Sequence, residues 1–297
     1  MRPRVSSGAV VRLEGLGGCS AHGCLVFALP TIFWALVTPL AVAAQASAHI
    51  GRYDLESPPA LHVPLPEELT EISGLAFSAD GRLFAHADER AFVYEIDPDS
   101  GEARNRFYLG RQGIQGDFEG IAIVGDRYFL VSSEGELFEF RPGQPNQSVE
   151  YERLDTGFDD RCEVEGLAFD RRTNSLLLAC KTPQRRDLED HLVVFAYSLD
   201  TMSLLEEPRV HLPLSAASPG VEELSPSGIE VEPTTGHLVL VASQQRLLVE
   251  LSREGFVLAL RELPRRFHRQ SEGVTFRPDG ALLIADVGQN SFEEINH

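Results

Sequence analysis

The chain has 297 residues, 43% of them hydrophobic and 24% charged, with a formal net charge of −19; this is the balance of a globular protein with a sizeable core. So large an excess of acid excludes nucleic acid and anionic membrane surfaces as partners of the folded part, and favours a cation. Lys181 is the only lysine in the sequence.

Residues 1–48 stand apart. Arg2, Arg4 and Arg12 precede an uncharged apolar run from Cys24 to Ala44, and small-residue cleavage patterns follow at Ala44-Gln45-Ala46 and Ala46-Ser47-Ala48. This is the grammar of a secretory signal. A run of that length can also span a bilayer as a retained anchor and attach the protein to a membrane. Either reading implies export, to the periplasm or the cell membrane. Residues 49–297 form the second unit.

From residue 72 onward one phrase recurs: a polar residue, Gly, then an alternating apolar strand. Its copies are Ile72-Ser73-Gly74-Leu75-Ala76-Phe77, Phe118-Glu119-Gly120-Ile121-Ala122-Ile123, Val164-Glu165-Gly166-Leu167-Ala168-Phe169, Pro226-Ser227-Gly228-Ile229-Glu230-Val231 and Ser271-Glu272-Gly273-Val274-Thr275-Phe276. Counted from the polar residue, the spacings are 46, 46, 62 and 45. A self-similar unit of roughly 40–50 residues made of short strands and turns predicts an all-β, five-bladed β-propeller of four-stranded antiparallel blades.

In the first copy the strands fall at Ser73–Phe77, Arg82–Ala87, Phe92–Ile96 and Arg104–Leu109. They are separated by Ala79-Asp80-Gly81 and by Asp97-Pro98-Asp99-Ser100-Gly101. The third spacing leaves two insertions, Thr182–Asp190 and Ser215–Ser225, which rise from the mouth where the inner strands begin; each is a carrier of binding residues or solvated decoration. The fifth copy ends after about three strands. Its missing outer strand is expected from Leu61–Leu65, paired with Ser291–Ile295 so that both chain ends close one ring.

Cys162 and Cys180, the two cysteines outside the leader, fall on neighbouring strands of the third copy. They are either a disulfide or two buried thiols.

Inner strands begin with Ser73, Glu119, Glu165, Ser227 and Glu272, and the antiparallel second strands end near Asp88, Glu134, Lys181 and Asp286. All are expected at one mouth of the channel. At an effective dielectric of ~20, two charges ~4 Å apart repel by about 4 kcal/mol. Either some carboxyls stay protonated or a cation sits among them. Calcium, which takes oxygen ligands, suits the second case, with Glu119, Glu165, Glu272, Asp88, Glu134 and Asp286 as candidate metal ligands. Ser73, Ser227 and Lys181 complete the mouth, with Lys181 a neutraliser, a competitor of the metal or a base. No cysteine–histidine set has zinc spacing. His86, His191, His211, His237 and His268 follow no motif, and most are expected to be structural.

With these motifs the chain resembles the SdiA-regulated family from about Asp54 to the C-terminus, on Ile72-Ser73-Gly74-Leu75, Asp117-Phe118-Glu119-Gly120-Ile121, Glu163-Val164-Glu165-Gly166-Leu167, Pro226-Ser227-Gly228-Ile229 and Ser271-Glu272-Gly273-Val274. The resemblance implies an exported or membrane-associated five-bladed propeller with calcium at the channel, and no particular reaction. The leading expectation is a calcium-binding module that takes a small ligand or an envelope protein at its acidic mouth. A calcium-dependent hydrolase of esters, lactones or phosphoesters is the alternative, by analogy with propeller enzymes such as paraoxonases and gluconolactonases, which are similar in architecture only. An envelope scaffold that uses its blade surfaces is the third.

Overall fold

The second strand of each repeat is apolar on both sides, as in Leu83-Phe84-Ala85-His86-Ala87, where every residue is buried. Such a strand has two faces to cover, so its sheet must be sandwiched between two others. The computed structural model, which describes residues 48–158, 161–217, 222–287 and 294–296, solves this with an all-β, propeller-like arrangement of mainly antiparallel sheets. All described residues belong to the unit Gln45–His297. The apolar run 24–44, with its leader reading, lies outside them. Among the described residues no helix is long and apolar enough to cross a membrane.

Five sheets form among the described residues. Their inner strands are Ile72–Phe77, Phe118–Val124, Cys162–Asp170, Gly228–Val231 and Ser271–Phe276. The first sheet adds Leu83–Ala87, Phe92–Ile96 and Ala103–Leu109, within a residue of the expected boundaries. The core lies between sheets, not within one. Phe84 and Val93 of the first sheet pack with Ile121, Tyr128 and Phe138 of the second. Similar clusters join the second to the third, the third to the fourth, the fourth to the fifth, and the fifth back to the first. Edge-on pairs such as Phe84–Tyr128, with centroids 5.0 Å apart, add ~0.5–1.5 kcal/mol each to the burial of their area.

The chain ends meet in the fifth sheet, which runs Ser271–Phe276, Leu282–Asp286, Glu294–Asn296 and His62–Pro64, with Val63 opposite Ile295. Residues 291–293 of the expected partner strand lie outside the described residues.

Two sheets depart from the four-stranded antiparallel plan. Ser148–Val149 adds to the first sheet in parallel, alongside Tyr108 and Leu109. In the third, the long strand His191–Ser198 carries two short outer partners, Ser203–Leu204 and Val210–Pro213, because a single partner does not span it. The insertions of this repeat are also not mere decoration. Leu188 is buried against the third sheet, and Leu214 of the short helix Leu214–Ala217, with Leu224, is buried in the cluster between the third and fourth. The disulfide between Cys162 and Cys180 forms, resolving that alternative.

Candidate functional site

The recurring glycines let the inner strands crowd together. A side-chain carbon placed on Gly120 would stand 2.5 Å from the Leu167 backbone nitrogen, and those on Gly74 and Gly166 would stand 3.3 and 3.0 Å from the nitrogens of Ile121 and Ile229. Gly228 meets Glu272 in the same way and Gly273 meets Gly74, so each inner strand abuts the next and the fifth abuts the first.

In four of the five repeats the polar residue beside the glycine breaks the ladder. Ile72 pairs with Ala87 and Gly74 with His86, leaving Ser73 without an opposite residue. Glu119 is passed over between Phe118–Ser132 and Gly120–Val131, and Glu272 between Ser271–Asp286 and Gly273–Ala285. In the third sheet the slip runs from Val164 to Leu167, across Glu165 and Gly166. A bulge of this kind turns its extra residue out of the alternation and re-aims the side chain. Here it takes the acids out of the apolar space between sheets.

Glu119, Glu165 and Glu272 share one electrostatic neighbourhood with Lys181. Lys181 pairs with Glu165. Burial works against the lysine charge, yet Glu165, Glu163 and Glu272 more than offset it and hold its pKa above the ordinary value. Burial, with the fields of Glu165 and Asp117 and a hydrogen bond to Asp117, pushes Glu119 up to about 10. Glu272 is pushed up to about 7, by burial first and then by Glu165. Glu165 is itself raised by burial despite its lysine. One lysine therefore serves several acids, and the shifts of all three glutamates favour their neutral forms.

The other expected members sit elsewhere or have other work. Asp88 is half-buried at the rim, and burial and the neighbouring acids Glu71, Glu89 and Asp117 raise it to about 6. Glu134 is exposed and lines an open cleft with Glu136, Asp155 and Gln184. Asp286 is fully buried, and accepts hydrogen bonds from Ser271 Oγ at 2.9 Å and His268 Nδ1 at 3.0 Å. Ser227 Oγ donates to the Ser271 carbonyl at 2.6 Å and accepts from Ser243 N at 3.1 Å, tying the fourth sheet to the fifth. The six acids expected around one ion are thus not gathered. Among the described residues no three of the acids, histidines or cysteines stand close enough to hold a metal as the side chains lie. Asp117 and Glu163 were missed. Their signal is an acid two residues before the glutamate, in Asp117-Phe118-Glu119 and Glu163-Val164-Glu165.

The opposite ends of the inner strands line a cavity of about 540 Å³ with Ala76, Ala122, Ala168, Glu230 and Thr275 on its wall. Burial raises Glu230 to about 7 even though Val231 N and Thr275 Oγ1 donate to it, at 2.7 and 3.1 Å.

A family model described as SdiA-regulated matches residues 60–292. No curated protein matches the chain in sequence. Among solved structures, the glutaminyl cyclase of Myxococcus xanthus is similar, with a TM-score of 0.55 at 15% identity over 80% of this chain and 95% of that one. A luciferin-regenerating enzyme aligns with a TM-score of 0.47 at 10% identity, covering 76% and 90%. Virginiamycin B lyase from Staphylococcus aureus aligns with a TM-score of 0.42 at 11% identity, covering 75% and 66%. At these identities the likeness is one of fold.

Proposed function

The chain belongs to the SdiA-regulated family, and we propose that it is an exported five-bladed β-propeller, each sheet a blade, whose acidic mouth binds calcium and through it a small ligand or an envelope partner. The observation that carries this reading is the gathering of Glu119, Glu165 and Glu272 around one lysine, Lys181. Burial, Glu165 and Asp117 all oppose the charge of Glu119 and push its pKa up. A cation among these carboxylates would supply the countercharge they lack and lower the pKa of Glu119.

The donors suit calcium by type. Glu119, Glu165 and Glu272 offer carboxylate oxygens, which calcium prefers, and no thiolate or neutral imidazole stands among the expected ligands. Bound calcium would supply the missing countercharge and a Lewis-acidic point for a ligand's oxygen. The chain's own residues do the rest. The bulges re-aim the acids, and Lys181 pairs with Glu165 and favours its charged form against burial. Because Lys181 is itself held charged, it is a poor general base, which favours binding over hydrolysis.

Melting the purified protein with calcium and with chelator tests the reading. A ligand that binds only the native state raises the melting temperature by mass action, so calcium should raise it and chelator lower it. Identical melting in both, at several pH values, would remove the site.

A further inference from the structure

Glu250 lies on the strand Leu247–Leu251, is fully buried, and has partners of an unusual kind. Its Oε1 accepts from the backbone nitrogen of His49 at 2.7 Å and its Oε2 from that of Ile50 at 2.8 Å. The remaining contact is His237 Nδ1, 2.5 Å from Oε1. No arginine or lysine pairs with it among the described residues. His49 and Ile50 are themselves buried, and the His49 ring packs edge-on against Phe276 and reaches Tyr53 Oη at 3.1 Å. Among the described residues the first buried one is thus His49, which follows the cleavage pattern Ala46-Ser47-Ala48 in the sequence.

We propose that the Ala48–His49 bond is the processing site of the leader, and that the freed α-amine of His49 docks on Glu250 as a buried ion pair. Hydrolysis by an export peptidase consumes one water, leaves a carboxyl on Ala48 and an amine on His49, and the amine takes a proton to become ammonium. The separation of 2.7 Å already suits a charge-assisted bond. Before cleavage the His49 nitrogen is a neutral amide with one hydrogen. Afterwards it brings a full charge to a carboxylate that, among the described residues, pairs with His237 and with no arginine or lysine. A buried carboxylate gains most from a partner of that kind, because its own charge is costly to bury unpaired. The fold would therefore be completed by its own processing. The inference depends on export and not on the cation site.

The test expresses the full chain in a secreting host and measures the intact mass of the exported protein. Proteins that start at His49, Ala48 and Ser47, released from a cleavable fusion with no added residue, are then melted with Glu250 and with Glu250→Gln. A mass for residues 49–297 is expected. The His49-starting protein should melt ~2–4 °C or more above the other two, and Glu250→Gln should abolish that gap. Retention of residues before His49 in the exported protein would overturn the proposal, as would equal melting of the three wild-type forms. Should Glu250→Gln fail to fold, the mass and the three wild-type melts still decide.

Discussion

Glu119 and Glu272 make the stability of the metal-free protein depend on pH with a definite sign. Both are raised above an unfolded carboxyl value of ~4.3, to about 10 and about 7. The native state then binds more protons than the unfolded state, so stability falls as pH rises. Their contribution is complete below the unfolded value and is lost through pH 7 for Glu272 and toward pH 10 for Glu119. In chelator, the melting temperature should fall between pH 5 and pH 9. Glu119→Gln, which keeps the shape and removes the charge, should flatten that fall and raise melting at pH 8.5 by a few degrees, about 1 kcal/mol. Lys181→Met should do the reverse. It strips Glu165 of its only ion-pair partner among the described residues, at a cost of up to ~3 kcal/mol in chelator, and calcium should restore much of the loss. Melting curves with and without calcium check both variants. At this scale the polar–glycine motif was legible, and so was the placing of Glu119, Glu165, Glu272 and Lys181 near one another. Asp286 was not, because its partners Ser271 and His268 are adjacent to it only in the fold.

Among the elements, strand positions in the first repeat were readable from turn chemistry. Asp-Gly and Asp-Pro-Asp-Ser-Gly turns mark where strands must end, and Phe92–Ile96 was placed to the residue. The bulges were not readable. A bulge is a mismatch between two strands, and neither strand's own alternation records it. The parallel strand Ser148–Val149 was hidden for a similar reason, since two residues carry no period. The close approach at the channel predicts that Gly120→Ala forces apart the backbones of the second and third inner strands, at ~1–3 kcal/mol, measurable by denaturant unfolding. Deleting residues through Pro66 removes the outer strand His62–Pro64 from the fifth sheet and bares the edge of Glu294–Asn296. Size-exclusion chromatography should then show aggregation, while a monomer of unchanged stability would refute this closure.

For the whole molecule, the interleaved core explains why a strongly acidic chain folds. Apolar clusters between every neighbouring pair of sheets carry the stability. The disulfide ties that mouth to the core. It joins Cys162 to Cys180, three residues before Glu165 and one before Lys181, and closes a sequence separation of 18. Replacing both cysteines with alanine should cost ~3 kcal/mol by the chain-entropy argument, and should weaken calcium binding as well as stability. The central claim is that the mouth exchanges a proton for a cation. Calorimetric titration of chelator-treated protein with calcium at pH 7.5, in two buffers of different ionisation enthalpy, tests it most directly. The account predicts saturable binding with proton release, seen as a difference in heat between the buffers and lost in Glu119→Gln. No binding at millimolar calcium, or binding that releases no proton and survives Glu119→Gln, would contradict it.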